Sequence, residues 1–149
     1  MNKNILIIGF LLIICIVGCK NLSLEEDISE KNNVEIKSYD GKKILYVDSY
    51  HEGYEWNDRI TRGIQSTLEG KGIELKIYRM DTKNNPEEEF KKQAALEAKS
   101  LIEEFQPDVV ITSDDNAFKY LVQPYYKDVE LPFVFCGVNW DASVYDAPY

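Results

Sequence analysis

Three short stretches hold the side chains that could do chemistry. The first, Asp48 to Trp56, offers Asp48, Ser49, Tyr50, His51, Tyr54 and Trp56. The second, Thr112 to Asn116, offers Ser113, Asp114, Asp115 and Asn116, and the third, Gly137 to Asp141, offers Asn139 and Trp140. Carboxylates, hydroxyls, amides and aromatic faces together suit a small polar or ring-bearing ligand. The rings supply contact area and the polar groups fix orientation. The candidate ligand-binding set is Ser49, Tyr50, His51, Tyr54, Trp56, Ser113, Asp114, Asn116 and Asn139. Each has a plainer use as well. Asp114-Asp115 suits a helix cap, His51 a surface loop, and Tyr54 with Trp56 a cover for the core. Convergence of all three stretches would separate binding from those uses.

The same residues argue against catalysis. No Gly-rich phosphate loop follows the first strand, and no G-x-S-x-G nucleophile elbow is present. His51 is the only histidine, which excludes a two-His metal motif, and no Cys/His spacing fits zinc. The expectation is a protein that is not an enzyme and uses no cofactor or metal. Asp48, Asp114 and Asp115 have the composition of a cation-chelating phospho-acceptor cluster. Such a cluster has little use outside the cytoplasm, where the N-terminal sequence described below directs the chain.

The elements that must position these residues alternate. Ile44-Leu45-Tyr46-Val47 is an apolar strand ending at Asp48-Ser49. Asn57 or Asp58 is the expected cap of the next helix, on which Ile60, Ile64 and Leu68 recur at i, i+4 and i+8 as one buried stripe. Gly63 is expected to let that face approach the sheet, and Gly70 and Gly72 to end the helix. Ile73 to Tyr78 alternates apolar and polar residues, as a strand near a sheet edge does. Asp81-Thr82-Lys83-Asn84 is a polar turn. Pro86 is expected at the first helical position, followed by Glu87, Glu88 and Glu89. Phe90, Ala94, Ala98, Leu101 and Phe105 form that helix's apolar stripe. Pro107 stops it.

Val109-Val110-Ile111 is too short a run for a helix and suits a central parallel strand. Ser113 to Asn116 offers caps for a helix carrying Phe118, Leu121 and Val122, ended by Pro124. Leu131 to Val138 is the fourth strand. The order β-α-β-α-β-α-β predicts an α/β fold: an open, doubly wound parallel sheet with right-handed crossovers. If the first and third strands are neighbours, the three stretches meet in one crevice at the carboxyl ends of the strands.

The chain has 149 residues, enough for one domain of ordinary size, and its 44% hydrophobic content supports a core. Its formal net charge of −9 argues against nucleic acid as a partner. At the N-terminus, Lys3 precedes an aliphatic run from Ile5 to Val17, shorter than the roughly 20 residues a spanning helix needs. It fits the apolar part of a secretory signal. Ile16-Val17-Gly18-Cys19 resembles a bacterial lipobox, with Ile where Leu is commoner. That likeness implies cleavage before Cys19, its modification by fatty acid such as palmitate, and anchorage on the extracytoplasmic face of the cell membrane. The expected divisions are a signal peptide over 1–18, a flexible tether over 19–41 and a folded domain over 42–149. Cys136 is the only cysteine in the folded part, so no internal disulfide is expected.

Lys43 to Asn139 resembles the first lobe of the ABC-transporter substrate-binding lipoproteins of the periplasmic-binding-protein type I class. That group includes tryptophan/tyrosine-type binding proteins and related sensor domains. The likeness rests on Ile44 to His51 with Tyr54 and Trp56, on Asp81-Thr82-Lys83, on Pro107 to Ala117 and on Leu131 to Asn139. It implies a two-lobed binding fold, a small-molecule ligand such as an amino acid or another ring-bearing solute, and an ABC permease as partner. The family has two lobes, so this chain is expected to be a fragment or a truncated reading frame. The alternative is the ligand-sensing extracytoplasmic domain of a membrane signalling receptor, held by an uncleaved N-terminal helix.

Overall fold

Strand β1 (Lys43–Asp48) is the axis of the molecule, pairing on both sides with parallel neighbours. In the computed structural model, which describes residues 39–139, three more strands flank it: β2 (Glu74–Arg79), β3 (Val109–Ser113) and β4 (Phe133–Cys136). They form one all-parallel sheet in the order β2-β1-β3-β4. The connecting helices are α1 (Glu55–Leu68), α2 (Glu88–Phe105) and α3 (Asp114–Ala117). α3 runs on through a π-helical stretch, Phe118–Val122, and a last turn, Gln123–Tyr125. This is the α/β doubly wound sheet expected from the alternation, with β2 at an edge and β1 beside β3. The lipobox, Cys19, almost all of the tether, Trp140 and Asp141 lie outside the described residues.

Side-chain alternation sorts each strand between two faces. Leu45, Val47 and Val110 point to one face and join Ala94, Ala95, Ala98, Ile102 and Phe105 of α2 with Phe118, Leu121 and Val122 in the core. Each large side chain buried there contributes on the order of 1.5–3 kcal/mol relative to exposure. Small alanines on α2 let the helix lie close over the sheet. Tyr46, Asp48 and Ser113 point to the opposite face, toward α1.

Several local expectations give way to the geometry. α1 begins at Glu55 with Tyr54 as its N-cap, so neither Asn57 nor Asp58 caps it. Asn57 is instead a buried residue of the first turn, while the Asp58 carboxylate accepts from Gly53 N. Asn57 and Thr61 are the buried positions of α1, and Ile60, Ile64 and Leu68 are only half-buried. Gly63 faces open space, so it makes no close approach to the sheet. α2 starts at Glu88 with Glu87 as N-cap, which leaves Pro86 ahead of the helix. Phe90 is exposed, and Ala95 and Ile102 complete the buried stripe. Pro124 does not stop the third helix before it, because it lies inside the last turn. Proline has no N–H for the carbonyl four residues back, and the widened π-helical stretch directly before it accommodates that loss. Fold-wise, Tyr39 already belongs to the domain, since its N–H donates to Lys71 O at 2.9 Å.

Candidate functional site

Parallel strands end at the same edge, so the loops after β1, β2, β3 and β4 must gather there. The pairing aligns Asp48 with Arg79, Asp48 with Ser113, and Ser113 with Cys136. The three stretches singled out in the sequence therefore meet, the third as far as Asn139, with the loop after β2 added to them.

A fully buried polar network forms the floor. Asp48, Ser49, Asn57 and Ser113 have no exposure, and Asp114 has 4%. Asn57 holds the centre. Its amide donates to Asp48 Oδ1, to Asp114 Oδ2 at 3.0 Å and to Ser113 Oγ at 3.3 Å. Tyr50 N donates to Asp48 Oδ1 at 3.0 Å, and Arg79 Nε lies 3.6 Å from Asp48 Oδ2. Trp56 Nε1 donates to Asp114 Oδ1 at 3.1 Å. Burial pushes both carboxyls above the ordinary range, while the hydrogen bonds from Tyr50 N and Asn57 to Asp48, and from Asn57 and Trp56 to Asp114, pull them back. The Tyr46 hydroxyl pairs with Ser113 Oγ at 2.8 Å, and burial pushes that phenol strongly up.

Ser49 and Thr82 stitch the loops together. Ser49 Oγ donates to Ser113 O at 2.5 Å and accepts from Ala117 N at 2.8 Å, tying β1 to β3 and to the start of α3. Thr82 Oγ1 donates to Ser49 O at 2.6 Å and accepts from Asn116 Nδ2 at 2.8 Å. Asp81 and Asp114 both hold left-handed backbone, with φ of 52° and 65°. Non-glycine residues in that region carry strain, which surrounding structure must hold in place.

Above this floor lies an aromatic rim. Tyr50 and Tyr54 meet edge to face, centroids 5.4 Å apart, and His51 lies 5.8 Å from Tyr54. The Lys83 ammonium lies over both tyrosine rings. Trp56 is 54% exposed at the mouth. Asn139 is exposed, and its N–H and amide donate to the two oxygens of Asp115, linking the β4 loop to α3. His51 Nδ1 lies 3.6 Å from Asp81 Oδ1. Thus Tyr50, His51, Tyr54, Trp56, Asn116 and Asn139 line the solvent side, whereas Ser49, Ser113 and Asp114 lie beneath, where they position the others.

Sequence reasoning missed Asn57, Arg79, Thr82 and Lys83 as parts of this edge. Asn57 was masked by its resemblance to a cap. The signal for Thr82 and Lys83 was available: Asp81-Thr82-Lys83 follows a parallel strand, so it must emerge beside the other loops. Among the described residues no group of three His, Cys, Asp or Glu side chains is arranged to hold a metal ion. Asp48 and Asp114 are bridged by an amide, and Asp115 turns to Asn139. Two larger grooves, about 510 and 350 Å³, flank β2, but neither is lined by the Asp48–Asn57–Asp114 cluster. No helix of the described residues is long and apolar enough to cross a membrane. Comparison with protein-family models, with curated proteins and with solved structures gives no match.

Proposed function

We propose that this chain binds a small solute outside the cytoplasm, as the first lobe of a lipid-anchored substrate-binding protein that delivers to an ABC permease. The observation that carries the reading is the meeting of four loops at one sheet edge, with a buried Asp48–Asn57–Asp114 network under an aromatic rim. A network of buried carboxylates bridged by one amide is costly to build, and it lies where open α/β sheets bind ligands. The rim supplies ring faces and the Asn116 amide, groups suited to an amino acid or another ring-bearing solute. The resemblance of Lys43 to Asn139 to the type I class, and of Ile16 to Cys19 to a lipobox, supports transport and anchorage.

The direct test is calorimetric titration of the chain with amino acids and ring-bearing solutes. Tyr50→Ala and Asn116→Ala are expected each to weaken the interaction about tenfold or more, the scale of a lost ring contact or hydrogen bond. Unchanged affinity in both variants would move the site elsewhere. Fatty-acid labelling that disappears in Cys19→Ala supports the anchored transport protein. A retained N-terminus without label favours a receptor's sensing domain instead.

A further inference from the structure

We infer that this cleft, read as above as a solute site, takes a ligand bearing a positively charged nitrogen, which replaces the Lys83 ammonium in the corner formed by Tyr50 and Tyr54. The two rings stand at 88° with centroids 5.4 Å apart, so they form two walls of a cation box. Lys83 Nζ lies 3.8 Å from the Tyr54 centroid and 5.0 Å from that of Tyr50, inside the distance at which a ring face attracts a cation. Among the described residues that ammonium donates no hydrogen bond and forms no ion pair. Lys83 is exposed on its loop, so its side chain can leave the corner for water with little loss. It holds the position of a ligand cation while being free to yield it.

Charge favours the same sign. Asp114, Asp115 and Asp48 act on the Tyr50 phenol, which burial and these carboxylates push up to about 12. Asp81 lies 3.6 Å from His51, which in turn packs on Tyr54. Asp48 at the end of β1, Asp81 after β2, and Asp114 and Asp115 after β3 thus bring negative charge to this edge, and Arg79 is already turned to Asp48. A lysine serving the fold alone would be expected on one of those carboxylates. It lies on the rings instead. An anionic ligand would be opposed by these carboxylates, whereas an ammonium gains from both the ring faces and the carboxylates.

The test uses the full chain and two probes of nearly equal shape, choline and its neutral carbon analogue 3,3-dimethylbutan-1-ol, titrated by calorimetry and followed by tyrosine ring NMR shifts. Choline is expected to bind about tenfold or more tighter than the alcohol, from the cation–ring and carboxylate terms. Lys83→Met, which removes the competing ammonium, is expected to tighten choline binding about fivefold. Tyr54→Leu abolishes it, and Tyr54→Phe, which keeps the ring, retains it. Equal binding of the two probes, or no gain in Lys83→Met, overturns the inference. If neutral ring-bearing solutes bind and choline does not, the solute site stands and the cationic class falls. If no solute of any charge binds, both readings fall together.

Discussion

Replacing Asn57 by leucine tests whether the floor of the cleft is held together by one amide. Leucine keeps the branching and the number of side-chain heavy atoms while removing the amide, though its methyl groups are bulkier in this fully buried place. The substitution removes the donor to Asp48 Oδ1 and the 3.0 Å bond to Asp114 Oδ2, on carboxyls with 0% and 4% exposure. Hydrogen bonds to charged groups contribute about 1.5–3 kcal/mol each. Against that, Asn57 Oδ1 is buried without a hydrogen-bond partner among the described residues, so its removal relieves about 1 kcal/mol, and leucine adds a similar apolar gain. The net loss is about 1–4 kcal/mol, a large part of the stability of a domain this size.

The pH dependence has a definite sign. Asp48 and Asp114 are held above the ordinary carboxyl range by burial, with Asn57 opposing that rise. The unfolded carboxyls titrate near 3.9. In the folded state the protons are held to higher pH, so the folded form binds more protons in that window and its stability falls as pH rises through it. Losing Asn57 extends the window upward. The variant is therefore expected to lose about 1–4 kcal/mol at pH 7.5 and less at pH 4, toward the acid side on which the folded carboxyls hold their protons. Urea unfolding followed by circular dichroism reads this as a midpoint lowered by about 2 M at pH 7.5. An equal loss at both pH values, or none at pH 7.5, would refute the reasoning that Asn57 stabilises two buried charges.

Gly137→Ala is expected to cost about 1–2 kcal/mol, since Gly137 has φ of 70° and a Cβ there would meet Asp114 Oδ1 at 3.3 Å; thermal unfolding should fall by several degrees. Ser49→Ala strips two buried backbone groups of their partner, Ser113 O and Ala117 N, for about 2–3 kcal/mol, and amide exchange at Ala117 should accelerate. Tyr50→Phe should improve alkaline resistance. The folded phenol is pushed up to about 12, so the wild type loses stability from about pH 10 upward. The variant's stability relative to wild type should then be greater at pH 11.5 than at pH 8, and a constant difference would contradict the burial of that hydroxyl.

The sheet was readable because its signals are long and redundant. Val109-Val110-Ile111 and Ile44 to Val47 are apolar runs of strand length, and their spacing from helical stripes leaves a parallel sheet as the simple answer. Helix starts were harder to read, because any Asn or Asp near a helix start looks like a cap. Two residues decide whether Asn57 faces solvent backbone or the sheet. At Glu55 the helix has already begun, and Asn57 falls on the inner face one turn below Thr61. Gly63 was misread for a related reason. Its small size is useful only if its side faces the sheet, and it faces solvent.

Asp114 joins the fold to the site. A residue in that place would serve α3 best as an ordinary cap in extended backbone. Asp114 instead takes a left-handed backbone, and no side-chain cap bond is made at this helix start. The carboxylate is spent on Asn57 and Trp56, both from α1. Gly137, itself left-handed, leaves the room in which that carboxylate lies. Strain at Asp114, a missing Cβ at Gly137 and a buried amide at Asn57 each weaken the local fold considered alone. They are explained together if the edge must hold two carboxylates in fixed positions under the Tyr50–Tyr54 corner, where their field acts on whatever occupies it.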